Sequence, residues 1–323
     1  MFLKCPECNS ILDWTRTRTC PSGHIIQHVS GIPLCFSAAQ MDVTKTADPL
    51  YPLRHAIGIA QEVSGAGLTF NAMLDQFFHI REAELKTDLA REKKLITRRS
   101  VPAVNECIAD ASLMLGHLNK PFPSSSRLHI DIGCGMGFGL AASSNSWFGT
   151  NILGLDLSPH YLVMAKTQLA EHGIQKPSLV CADICSGWPI PLEKYDIAFI
   201  SMEGVLEHIK DVPAFFANVR KIASYPVVLY LTVPYRWTLN RESHFNIRFP
   251  SWLPRPWQDR YVAWRLGVEE IDHVEFYSMR SLRSMLEKYF KPEAIVVELN
   301  SNRPLMAHYL RCLVYIEGPQ SFL

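Results

Sequence analysis

The chain has 323 residues, 48% of them hydrophobic and 20% charged, with a formal net charge of +1. That length allows two domains or one large domain with appendages, and the apolar fraction excludes wholesale disorder. Near-neutral charge argues against a general polyanion-coating protein, and no uncharged apolar run approaches the roughly 18 residues of a membrane span. The opening MFLKCPEC lacks the apolar core of an export signal, so a cytoplasmic enzyme is expected.

Four of the nine cysteines fall in the first 35 residues. The cluster reads Cys5-Pro-Glu-Cys8, eleven residues, then Cys20-Pro-Ser-Gly-His24. Two such knuckles can close a tetrahedron, so Cys5, Cys8, Cys20 and His24 are expected to hold a structural Zn2+, with His28 or Cys35 as alternative fourth ligands. A closed set has no open position for catalysis, and the metal would supply much of this short segment's folding energy. Cys181 and Cys185 have no partner knuckle and are expected to be small apolar residues at a strand end.

Residues 1–36 are therefore expected to form a zinc ribbon, 37–49 a linker, and 37–120 as a whole a helical N-terminal region. The stretch Arg81–Arg99 holds seven basic and four acidic residues; it reads as a solvated helix face or a phosphate-contacting one. Pro121-Phe-Pro-Ser-Ser-Ser126 punctuates the chain, placing a domain over 121–323.

From Arg127 onward short apolar runs at 128–132, 151–155, 178–182, 195–201 and 226–233 alternate with helical segments at 159–172, 203–208 and 211–223. Runs at 294–299 and 308–316 follow a helix at 278–290 and suggest an antiparallel pair at the sheet edge. The pattern predicts an α/β fold, a doubly wound, mostly parallel seven-stranded Rossmann-like sheet.

The first of these strands runs into Asp131-Ile-Gly133-Cys-Gly135-Met-Gly137-Phe-Gly139. Glycines at alternate positions allow tight turning and close approach to a ligand, and the following helix would aim free N–H groups at it. The dinucleotide fingerprint fails, because Phe138 or Leu140 stands where its last glycine belongs, and this disfavours a nicotinamide dehydrogenase. The next strand ends in Asp156, 19 residues after Gly137, where a carboxylate can accept from both hydroxyls of a ribose. The third ends in Asp183, near the expected place of an adenine amino group.

DIGCGMG, GLDLS, CADI and YDIAFISMEGVLEHI resemble the class I S-adenosylmethionine-dependent methyltransferases, over about residues 127–316. The resemblance implies S-adenosyl-L-methionine as cofactor. It places the methionine end against Asp131, Gly133, Gly135 and Gly137, the ribose on Asp156 and the adenine beside Leu157. Asp183 and Ile184 would bind the adenine edge, with Ser201 and Met202 beneath the cofactor. MEGVLEH carries one residue more than the commoner form of its motif. The ribbon is similar to that of bacterial large-subunit rRNA guanine methyltransferases and to the zinc-binding activator subunit of tRNA methyltransferases; residues 37–120 carry no such likeness, so guanine is not implied.

A long segment follows the fifth strand, and residues 235–275 are expected to form a substrate lid. Residues 235–265 contain eight aromatic residues and six arginines, opposed by Glu242 and Asp259. Such a mixture can stack on bases, hold a phosphorylated or sugar substrate, sit at a membrane interface, or pack on itself. His208 and His244 are candidate general bases; Tyr235 and Arg241 are candidate substrate contacts. The function expected first is methyl transfer to O or N of a small or conjugated metabolite such as a sugar, lipid or secondary metabolite. RNA (rRNA or tRNA) is the alternative acceptor, and a non-catalytic cofactor-binding partner protein is a third reading.

Overall fold

The structure is a computed structural model, and it describes all residues except 47–50, 66, 86–92, 94–95, 97–105, 223–224, 242–246, 249, 267–273, 301–307 and 323. Its centre is the expected seven-stranded sheet. Strands β5 (Leu128–Ile132), β6 (Ile152–Asp156), β7 (Ser178–Cys181), β8 (Ile197–Glu203) and β9 (Val227–Pro234) run parallel. The order across the sheet is β10-β11-β9-β8-β5-β6-β7, where β10 is Ile295–Leu299 and β11 is Tyr309–Ile316. β11 lies antiparallel to both β9 and β10, so the late pair closes one edge.

The strands are apolar almost throughout because both faces are covered. Against one face lie α2 (Leu53–Val63), α3 (Phe70–Leu85), α4 (Glu106–His117), α5 (Phe138–Ser143) and α6 (Pro159–Glu171). Phe77, Phe78, Met114, Leu140 and Leu162 share one buried cluster with Phe199, Tyr230 and Leu313 of the sheet. The helical N-terminal region thus shares its apolar core with the sheet. The other face packs Phe215 and Phe216 of α7 (Val212–Val219) and Leu282 and Leu286 of α9 (Met279–Leu286). Between α7 and α9 in sequence comes α8 (Arg255–Leu266).

The first 36 residues build two small hairpins, β1 (Phe2–Lys4) with β2 (Ile11–Asp13) and β3 (His28–Val29) with β4 (Ile32–Pro33). They dock on the sheet: the Lys4 N–H donates to Pro189 O at 2.8 Å, the Cys35 N–H donates to Cys181 O at 2.8 Å, and Leu34 bridges Cys181 in parallel sense. Leu3, Leu12, Trp14 and Ile26 join the same apolar cluster as Ile130 and Val180.

Two expectations are corrected. The segment read as a linker holds helix α1 (Ala38–Val43), because Ser37 and Gln40 form a reciprocal capping box. The helix expected over 203–208 is instead the end of β8 and a 3-10 turn, Leu206–His208, with Gly204 at φ 66° between them. Most of the charged run Arg81–Arg99 lies outside the described residues. Within it Arg81 is buried, and Lys93 pairs with Asp75 at 2.7 Å.

Candidate functional site

β5, β6 and β8 all end at the same rim. Gly133, Gly135 and Gly137 follow β5 with φ of 71°, 50° and 81°, a left-handed path that L side chains resist. A Cβ on Gly133 would stand 2.2 Å from Cγ2 of Val205, so the loop after β8 closes directly over the glycine turn; His208, half-buried, ends the 3-10 turn that follows. A Cβ on Gly135 would meet nothing within 4 Å, so this turn of backbone faces open space.

Asp156 closes the turn from the neighbouring strand. Its Oδ2 accepts from the Gly135 N–H at 2.7 Å and its Oδ1 from the Ser158 N–H at 2.7 Å. Burial pushes its pKa up, while these N–H donors pull it back toward the ionised form. Asp183, beyond β7, accepts from the Cys185 N–H and the Ser186 hydroxyl, both at 2.9 Å, and so shapes the 183–186 turn. Leu157 is half-buried and Ile184 buried beside these two carboxylates in sequence.

Asp131 is buried, and desolvation pushes its pKa up to about 7, opposed by a bond from Ser201 and reinforced by Asp156. The Ser201 hydroxyl donates to Asp131 Oδ1 at 2.6 Å. Behind it, His129 Nε2 lies 2.7 Å from Ser201 Oγ, and His129 Nδ1 lies 2.6 Å from Ser143 Oγ. The imidazole sits between Phe148 and Phe199, with centroids at 5.1 and 4.9 Å, and burial pushes its pKa down to about 3. Sequence reading missed this chain, although His129 and Asp131 two apart on one strand had to share a face.

The site residues do not all converge by side chain. Met202 is fully buried in the core on the opposite face, leaving only its backbone toward the rim. Tyr235 is buried and bridges Tyr277, and its N–H donates to His308 O at 2.8 Å. Arg241 is exposed, whereas His244 lies outside the described residues.

Cys5, Cys8, Cys20 and His24 converge with all four ligand atoms within 4.8 Å of one another. Cys8 Sγ lies 3.7 Å from Cys20 Sγ, and His24 Nδ1 lies 3.7 Å from Cys5 Sγ and 3.6 Å from Cys20 Sγ. Ligands about 2.3 Å from a tetrahedral Zn2+ would stand about 3.8 Å apart, so the edges fit. Positive φ at Asn9 (59°) and Gly23 (86°) lets each knuckle fold back. The Ser10 and Ser22 hydroxyls hold the Cys8 thiol down at about 5, in the thiolate form that ligates metal. Neither His28 nor Cys35 belongs to the group.

A family model described as a methyltransferase domain matches residues 108–289. No curated protein matches the chain in sequence. Solved structures similar to it include phosphoethanolamine N-methyltransferase 2 of Haemonchus contortus in complex with S-adenosyl-L-methionine, at 14% identity and TM-score 0.41 over 65% of this chain and 52% of that one. The chain thus spans about half the length of that protein. Magnesium protoporphyrin IX methyltransferase from Synechocystis, with bound SAH, is 14% identical at TM-score 0.42, over 81% of this chain and 95% of that one. An S-adenosylmethionine-dependent methyltransferase from Clostridium acetobutylicum is 16% identical at TM-score 0.46, over 76% of this chain and 99% of that one.

Proposed function

The chain belongs to the methyltransferase-domain family, and we propose that it is an S-adenosylmethionine-dependent methyltransferase whose acceptor is an oxygen or nitrogen of a small or conjugated metabolite. The observation that carries this is the segment after β9. It leaves the carboxyl ends of the parallel strands, where open α/β sheets bind ligands, and brings aromatic and arginine side chains to a protein of net charge +1.

The residues fit the cofactor. Open space at Gly135 would admit its methionine end, Asp131 would meet its cationic groups, and Gly133 and Gly137 would shape the turn that holds it. Asp156, which already accepts two N–H bonds, retains lone pairs for ribose hydroxyls. Leu157 and Ile184 would flank the adenine, Asp183 its edge, and Ser201 and the Met202 backbone the floor. Bound there, S-adenosylmethionine supplies a methyl group activated on a sulfonium sulfur. The chain's own work is then mostly alignment of the acceptor. If that acceptor is a hydroxyl, His208 would be the residue to take its proton. Cys5, Cys8, Cys20 and His24 would hold a structural Zn2+ that ties the hairpins together.

Incubation with methyl-labelled cofactor and fractionated cell extract tests the acceptor. Label in low-mass or lipid-soluble fractions is expected; label in RNA would overturn this reading.

A further inference from the structure

Helix α8 presents a face that the rest of the described chain leaves uncovered. Trp257 and Trp264 are 65% and 74% exposed, and seven residues apart they lie on one stripe of the helix. Exposed Arg260 stands between them, half-buried Tyr261 beside them and exposed Arg265 at the flank. The Arg265 guanidinium is 5.8 Å from the Trp264 ring, and Tyr261 is anchored by donating to Arg248 O at 3.1 Å. The inner side carries buried Val262 and Gln258, whose amide donates to Val274 O at 3.3 Å. The one acidic residue of the helix, Asp259, falls toward that inner side, so the outer face carries cations and indoles without a carboxylate.

We propose that the outer face of α8 is a docking surface for an anionic lipid bilayer. Tryptophan favours the water–lipid interface because its ring is apolar while its N–H still reaches a hydrogen-bond acceptor. Arginines on the same face meet the anionic headgroups. The helix sets two exposed indoles and two arginines on one side, and no described helix is long and apolar enough to cross a membrane. Single-stranded RNA is the poorer fit, since it is gripped by a basic groove that tracks many phosphates, whereas the exposed arginines of this face are two, Arg260 and Arg265. The insertion that carries α8 leaves β9 at the rim that holds Asp131 and Asp156. That the acceptor is then lipid-borne rests on the methyltransferase reading; the docking surface does not.

The test is co-sedimentation of the full chain with phosphatidylcholine vesicles, with and without phosphatidylglycerol, alongside binding to poly(U). The chain is expected to sediment with the anionic vesicles. Trp257→Ser with Trp264→Ser should weaken this roughly tenfold or more, and Arg260→Glu with Arg265→Glu should remove the preference for phosphatidylglycerol. These positions are exposed, so folding is expected to survive, and an unchanged dissociation constant for S-adenosylmethionine checks it. No sedimentation of the unmodified chain, undiminished sedimentation of the tryptophan variant, or retention on poly(U) without vesicle binding would overturn the proposal. Vesicle binding without S-adenosylmethionine binding supports the surface while contradicting the cofactor reading.

Discussion

Ser201 Oγ donates to Asp131 Oδ1 across 2.6 Å, and this bond is the end of a directed chain of donors. With the one hydroxyl proton of Ser201 committed to Asp131, His129 must donate from Nε2 and accept at Nδ1 from Ser143. Every link points toward the Asp131 carboxylate and helps keep it ionised in a site that burial makes unfavourable for charge.

A pH dependence follows. The folded-state pKa of Asp131, about 7, lies above its unfolded value of about 4, so its contribution to folding stability falls as pH rises through that window. A cationic ligand favours the carboxylate, so S-adenosylmethionine affinity is expected to rise as pH rises through about 7. Asp156, Glu203, Cys107 and Cys134 are the other titratable groups around this carboxyl, and His129 stays neutral. Ser201→Ala should move the midpoint upward and cost about 1–3 kcal/mol of stability by orphaning His129. Calorimetric titration across pH checks this; an unmoved midpoint would show that Ser201 does not set the charge of Asp131.

His160 offers a second pH test away from the rim. It is fully buried, stacks on Phe77 at 5.2 Å and 13°, and neither ring nitrogen has a hydrogen-bond partner among the described residues. Burial, with Arg81 and His55 nearby, pushes its pKa down to about 3. The folded state then binds fewer protons than the unfolded one between about 3 and about 6.5, so the stability it contributes falls as pH drops through that range. His160→Phe is expected to raise stability by about 1–3 kcal/mol at neutral pH and by more at pH about 5. Denaturant melts at the two pH values would contradict this if the variant proved less stable at both.

The metal cluster predicts a linked loss. Cys8→Ser should lower metal content and loosen both hairpins. Because Leu34 and Cys35 pair with Cys181 on β7, amide exchange should quicken at Cys35 and spread to the β7 edge. Metal content equal to that of the unmodified chain would remove the metal assignment.

Much of this was legible in the sequence because local chemistry dictates it. Alternating strand and helix periods point to the sheet, Asp131 through Gly137 to the turn, and two knuckles to Cys5, Cys8 and Cys20, while the choice of His24 over His28 or Cys35 comes from the structure. Relationships between strands are another matter. That Ser201 pairs in register with Asp131, or that Val205 closes on Gly133, depends on which strands become neighbours. The 37–49 segment looked like a linker because its charges masked a capping box whose bonds become visible only in three dimensions. Met202 and Tyr235 were placed at the site by position in the chain, but strand alternation and packing turn their side chains into the core.

The most direct test of the central claim is calorimetric titration of S-adenosylmethionine into the unmodified chain and into Asp156→Ala. Asp156 would make charge-assisted bonds to the ribose and also anchors the Gly135 N–H, so the substitution is expected to weaken binding by about 1–3 kcal/mol. No measurable binding to the unmodified chain, or the same dissociation constant in both proteins, would contradict the account.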